Sequence, residues 1–122
     1  MDYEKAFTDL EQSKKLAEIL PLESADMRYA SFGDIHPWVW DEEVKLLEKG
    51  SIPCWSLAAL LKILNDTAYS IDEDASIDLG TYKTSAWSLC LTNTGVGGLI
   101  EEPNPIDACY EMILNLKEQK LL

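Results

Sequence analysis

One histidine limits the side-chain proton chemistry open to this chain. A serine or cysteine nucleophile needs a base beside it, and His36 is the only imidazole present. Cys54 and Ser56 are the nucleophiles that could approach it, with Asp34 or Asp41 to orient the ring. No Gly-x-Ser-x-Gly elbow surrounds either one. A histidine before proline in a tryptophan-rich turn reads first as a surface or packing residue. A small hydrolase centred on His36 is therefore the competing reading, and no residue is assigned a catalytic role.

Metal and phosphate chemistry fare no better. Asp72, Asp74, Ser76 and Asp78 place oxygen ligands at positions 1, 3, 5 and 7, as a calcium loop begins. Position 6 is then Ile77 where the sharp turn needs glycine, and position 12 is Lys83 where a bidentate glutamate should close the shell. Gly95-Val96-Gly97-Gly98 matches a phosphate loop in composition only. No Gly-Lys-Ser/Thr follows, and Glu101 and Glu102 bring carboxylates close to where phosphate would lie. With 22 carboxylates in the chain some acidic pair is inevitable, so pairs alone do not argue for a glycosidase. The expectation is no metal and no cofactor.

The aromatic residues offer a different kind of site. Trp55 and Trp87 fit core positions. Trp38 and Trp40 fall on one side of an extended segment after Pro37, followed by Asp41, Glu42 and Glu43. Core packing is the simpler use of such a pair. The alternative is a protein interface in which Trp38 and Trp40 are the anchors and Asp41, Glu42 and Glu43 the charged rim.

Charge narrows the partners. A net charge of −12 opposes direct binding to nucleic-acid backbones and to anionic membrane surfaces. It leaves a self-repelling soluble protein, or a surface that imitates a phosphate lattice in a basic cleft. Cys54, Cys90 and Cys109 are odd in number, lack a Cys-x-x-Cys pair and sit among apolar neighbours, as buried residues of a reducing compartment do. The N-terminus lacks the order of a signal peptide, and the apolar run Ile52 to Leu61 is too short to span a bilayer. These features point to a cytoplasmic location.

The elements that must position these residues are legible in places. Thr8-Asp9-Leu10-Glu11 reads as a capping box for a helix ending near Leu20, with Leu10, Ala17 and Leu20 inward and Leu16 and Ile19 at the edges. Leu22 to His36 reads as an irregular connection with a short strand near Met27 to Tyr29. Glu42 to Lys49 reads as a short helix or a strand. Ser56 caps a helix over Leu57 to Leu64 that is apolar nearly all round, as a centrally buried helix would be. Ile77 to Leu79 and Ala86 to Thr92 alternate as strands, Asn93 to Gly98 is a turn, and Leu99-Ile100 is a last short strand. Asn104 and Pro105 open a C-terminal helix whose stripe is Ile106, Cys109, Ile113 and Leu116. The whole predicts one α+β domain over residues 1–122: a small antiparallel sheet packed on one face by three to four helices.

Three stretches carry a resemblance: Leu20 to Met27, Ile52 to Leu61, and Asn104 to Ile113. They resemble a family of small acidic uncharacterised proteins from Bacteroides-type gut bacteria and their prophages and mobile elements. The resemblance covers Thr8 to Leu122 and implies an intracellular accessory protein, with no functional residue to carry over. The leading reading is a non-enzymatic accessory protein acting through contacts with an unidentified protein partner or with itself. An acidic nucleic-acid mimic that inhibits a host DNA-binding protein or nuclease is the alternative.

Overall fold

The structure is a computed structural model that describes residues 5–29, 35–37, 52–82 and 86–122. In chain order these form α1 (Leu10–Ile19), a 3-10 turn (Leu22–Ser24), β1 (Met27–Tyr29), β2 (Ile35–Pro37), β3 (Ile52–Cys54), α2 (Leu57–Ile71), β4 (Ile77–Tyr82), β5 (Ala86–Leu91), β6 (Ile100–Glu102) and α3 (Pro105–Glu118). The class is α+β, as the sequence predicts. The strands divide into two three-stranded antiparallel sheets, however, ordered β2-β1-β3 and β4-β5-β6, and not into one. Leu22 to His36 reads as an irregular connection, so the pairing of Ile35–Pro37 with Met27–Tyr29 leaves no periodic trace in the sequence.

The C-terminal helix forms as its sequence dictates. Asn104 Oδ1 accepts the N–H of Asp107 at 2.8 Å, and Pro105 opens the first turn, where no N–H is needed. Ile106, Cys109, Met112, Ile113 and Leu116 are fully buried. Truncating one such side chain costs about 2–5 kcal/mol, whereas a lost cap costs about 1 kcal/mol. Burial of the stripe therefore holds α3 in place, and the cap decides where it starts. The helix packs on α2, β5 and β6. Gly97 makes the approach close: its φ is +77°, and a Cβ there would collide with the Met112 sulfur.

The first helix starts one residue later than the sequence reading has it. Asp9, not Thr8, is the N-cap, and it shares a capping box with Gln12. Thr8 is instead fully buried. The inward face differs as well: Leu16 is fully buried and Leu10 is 44% exposed. Gln12 and Ser13 occupy the inward turn that Leu10 was expected to fill. The second helix also differs from expectation, because it runs on to Ile71. Asn65, Asp66 and Thr67 look like a polar break, yet Thr67 and Ala68 continue the buried stripe of Leu60 and Leu64. The Thr67 hydroxyl donates to the Ile63 carbonyl at 2.8 Å, which satisfies it within the helix. Extended this way, α2 is amphipathic and not buried all round; Ala58, Lys62, Asp66 and Tyr69 face outward.

In the second sheet β5 is central, and Leu89 and Leu91 are buried while Trp87 is half-buried. One apolar cluster joins Leu16 of α1, Trp55, Leu60 of α2, Leu89 of β5 and Ile113 of α3.

Asp107 ties the start of α3 to the N-terminal segment. Its Oδ1 accepts from Lys5 Nζ at 2.6 Å and from Gln12 Nε2 at 2.7 Å, and its Oδ2 accepts from Asn104 Nδ2 at 2.7 Å. Burial pushes this carboxyl up, but the hydrogen bonds from Lys5, Gln12 and Asn104 outweigh it and hold it below the usual carboxylate range. A carboxyl depressed by folding stabilises above its unfolded pKa, and that contribution is lost as pH falls through the folded one. The stability gap between wild type and Asp107→Asn, from denaturant midpoints, should thus be constant above about pH 5 and shrink below about pH 4. A gap independent of pH down to about pH 2 contradicts this role for the charge.

Candidate functional site

Among the described residues, a cleft of about 370 Å³ lies between the 3-10 turn and the first three turns of α2. That volume lies at the small end of ligand-sized pockets. Its floor is Ala25, Ala58, Ala59 and Ile63, and its polar groups are Glu23, Ser24, Asp26, Lys62 and Asp66.

Local chemistry holds the two walls together. Trp55 is fully buried, and a buried indole must place its N–H on an acceptor. Trp55 Nε1 donates to Ser24 Oγ at 2.9 Å, and the same hydroxyl donates to the Pro21 carbonyl at 2.5 Å, which closes the 3-10 turn. One residue on, Asp26 grips the start of α2. Its Oδ1 accepts the Ser56 N–H at 2.9 Å, and its Oδ2 accepts the Ser56 hydroxyl. Ser56 Oγ in turn accepts the N–H of Ala59 at 3.2 Å, as an N-cap does. The Asp26 charge also faces the positive end of the α2 dipole. Behind the cleft, Thr8 and Trp55 are stitched twice: Thr8 N–H to the Trp55 carbonyl at 2.9 Å, and Trp55 N–H to Thr8 Oγ1 at 3.1 Å. Ser13 Oγ lies 2.8 Å from Thr8 Oγ1, and the Tyr29 hydroxyl donates to the Thr8 carbonyl at 2.7 Å.

The proposed nucleophiles are occupied by this framework. Ser56 Oγ is bound between Asp26 and Ala59. Cys54 is fully buried, and burial, then the nearby Asp26 carboxylate, pushes its thiol up to about 12. His36 is on β2, separated from the β3 strand of Cys54 by β1. It pairs with Arg28, which on its other side pairs with Pro53, while Cys54 pairs with Met27 in the adjacent row. The backbone of β1 thus lies between the strand of His36 and the strand of Cys54. Asp34 and Asp41 lie outside the described residues. So do Trp38, Trp40, Asp41, Glu42 and Glu43, together with the element expected over Glu42 to Lys49.

The acidic turn after α2 is built for the chain's own backbone. Asp72 Oδ1 accepts the Asp74 N–H at 2.9 Å, and the segment enters β4 at Ile77, where it is extended alongside β5. An extended Ile77–Tyr82 cannot wrap around a cation that Asp72 and Asp74 would hold. Among the described residues no group of three or more His, Cys, Asp or Glu could hold a metal ion. Gly95, Gly97 and Gly98 form a turn with positive φ, and Gly97 is bound to the last turns of α3 and its C-cap: its N–H donates to Gln119 Oε1 at 3.2 Å, and its carbonyl accepts from Asn115 Nδ2 at 3.1 Å. On β6, burial raises the Glu102 carboxyl, and Glu111 and Asp107 raise it further.

Comparison with protein-family models, with curated proteins and with solved structures returns no match for this chain. Its chemistry rests on its own residues. The cleft was not legible in the sequence because its walls, Glu23 to Asp26 and Ala58 to Asp66, are about thirty residues apart. The one local sign is the pair Lys62 and Asp66, four apart on a helix that carries Ala58 and Ala59 one turn earlier.

The three thiols should differ in reactivity. Cys54 and Cys109 are fully buried, and burial pushes Cys109 up to about 12 as well. Cys90 is half-buried on β5. A thiol-specific alkylating reagent at pH 8 should label Cys90 in the native protein and reach the other two only on unfolding, as read by mass spectrometry of peptides. Native labelling of Cys54 at the rate of Cys90 contradicts the buried placement.

Proposed function

We propose that this chain is a non-enzymatic, cytoplasmic accessory protein that acts through contact with another protein, of the mobile-element kind that its three family-like stretches suggest. The observation that carries this reading is the outward face of α2. Tyr69 is 63% exposed there, within a turn of Asp66, which lines the cleft. The side chains of Asp66, Glu23 and Lys62 make no hydrogen bond or ion pair with the other described residues. Tyrosine is a common interface anchor, and an exposed ring with uncommitted charges around it has no evident use in the fold. The commitment of Ser56 and Cys54 to capping and packing also supports a role without covalent catalysis. The sequence adds Trp38 and Trp40, with Asp41, Glu42 and Glu43, as a second part of the contact.

No helix among the described residues is long and apolar enough to cross a membrane. The acidic-mimic version draws on the same surface, since Asp66, Asp72, Glu73 and Asp74 are all exposed on α2 and the turn after it. Its target would be a basic nucleic-acid-binding cleft, and it too requires release by salt.

Affinity capture from the native host at low and high salt tests the reading. Tyr69→Ala should melt like wild type and lose the retained partner; an interface anchor is worth about 2 kcal/mol, near thirtyfold in affinity. Trp38→Ala and Trp40→Ala should behave the same way. Undiminished retention by all three variants, or no partner retained at either salt, removes the proposal. Early melting of the tryptophan variants assigns those two residues to the core.

A further inference from the structure

We infer that the cleft between the 3-10 turn and α2 is a receptor for an arginine side chain on a basic segment of the partner protein. The inference rests on the contact reading above and names the chemistry of that contact. The cleft has two chemically distinct parts. Its floor is made of small apolar groups, Ala25, Ala58 and Ala59, with Ile63 beside them. Its rim holds the carboxylates of Glu23, Asp26 and Asp66, with Lys62 as the one cation, which leaves two net negative charges. An arginine has the matching division: an apolar three-carbon stem that packs on alkyl surface, and a planar head that takes carboxylates two oxygens at a time.

Charge complementarity decides the sign of the occupant. The chain as a whole carries −12, so a basic segment is drawn toward it from a distance, and an acidic one is repelled. Lys62 does not reverse this. It stands four residues before Asp66, in the less favourable order for an ion pair along a helix, and the two are not paired. Its exposed ammonium can turn to solvent, or to Asp66, when a second cation enters. Asp26 is already fixed by two bonds from Ser56, so its charge is in place before a ligand arrives. Alanines at positions 58 and 59 keep the groove open: a larger residue at 58 would fill it without disturbing the helix.

The test uses the full chain and a short capped peptide, acetyl-Gly-Arg-Arg-Gly-amide, followed by backbone amide shifts in NMR titration. The amides of Ala58, Ala59 and Asp66 should move together and saturate, and the same peptide with citrulline in place of arginine should leave them unmoved. Asp66→Asn and Glu23→Gln should each weaken binding by about two- to fivefold, the worth of one exposed ion pair. Ala58→Leu should abolish the shifts and leave the melting midpoint unchanged. Glu111→Gln, on α3, should bind like wild type. Equal shifts with the citrulline peptide, stronger shifts with an acetyl-Gly-Glu-Glu-Gly-amide peptide, or undiminished binding to Ala58→Leu each overturn the assignment. If Tyr69→Ala loses a host partner that Ala58→Leu and Asp66→Asn still retain, the contact reading stands and this one falls.

Discussion

An indole cannot be buried with its N–H unpaired, and Trp55 is fully buried. Much of the arrangement around the cleft follows from that constraint. The acceptor is Ser24 Oγ, thirty-one residues earlier in the chain, so the 3-10 turn must sit over the ring. The Trp55 backbone is bound in both directions to Thr8, which brings the segment before α1 to the same place. The next residue, Ser56, is then positioned to cap α2 and to receive Asp26. Three separate stretches thus meet within two consecutive residues. The cleft is the space left between the turn and the helix once both are pinned.

Thr8 shows why this network is hidden in the sequence. Its type and spacing match an N-cap, and a capping role for it is the natural local reading. Asp9 supplies an equally good local cap one residue later, and tertiary structure decides between them. Thr8 has a buried backbone N–H to satisfy (Trp55 N–H), and Asp9 does not. Along α1 tertiary packing likewise leaves Leu10 exposed and buries Leu16 in the core. Elements whose signals are local and mutually consistent could be read directly. Asn104, Pro105 and the stripe through Leu116 specify α3, and the alternation through Leu89 and Leu91 specifies β5. The first sheet was not legible beyond Met27–Tyr29, because three-residue strands are too short to show a period. The cleft as a groove was not legible, since no local pattern records that Glu23 and Asp66 share it.

The acidic balance of the chain has two structural uses and one that the fold does not absorb. Asp107 collects donors from Lys5, Gln12 and Asn104 and joins the N-terminal segment to α3. Asp26 and Asp72 close a cap and a turn. Glu23 and Asp66 do neither, and they line the cleft between the 3-10 turn and α2. A functional role rests on those residues because their charge is not consumed by folding.

Hydrogen exchange of the Trp55 indole proton, resolved by NMR and assigned with Trp55→Phe, tests the central claim most directly. A network that depends on Trp55 Nε1 bonded to Ser24 predicts that this proton exchanges only with global unfolding, at the free energy measured by denaturant. Exchange through a local opening at much lower free energy would contradict it, because the turn and the cleft could then detach from the core while the rest of the fold persists.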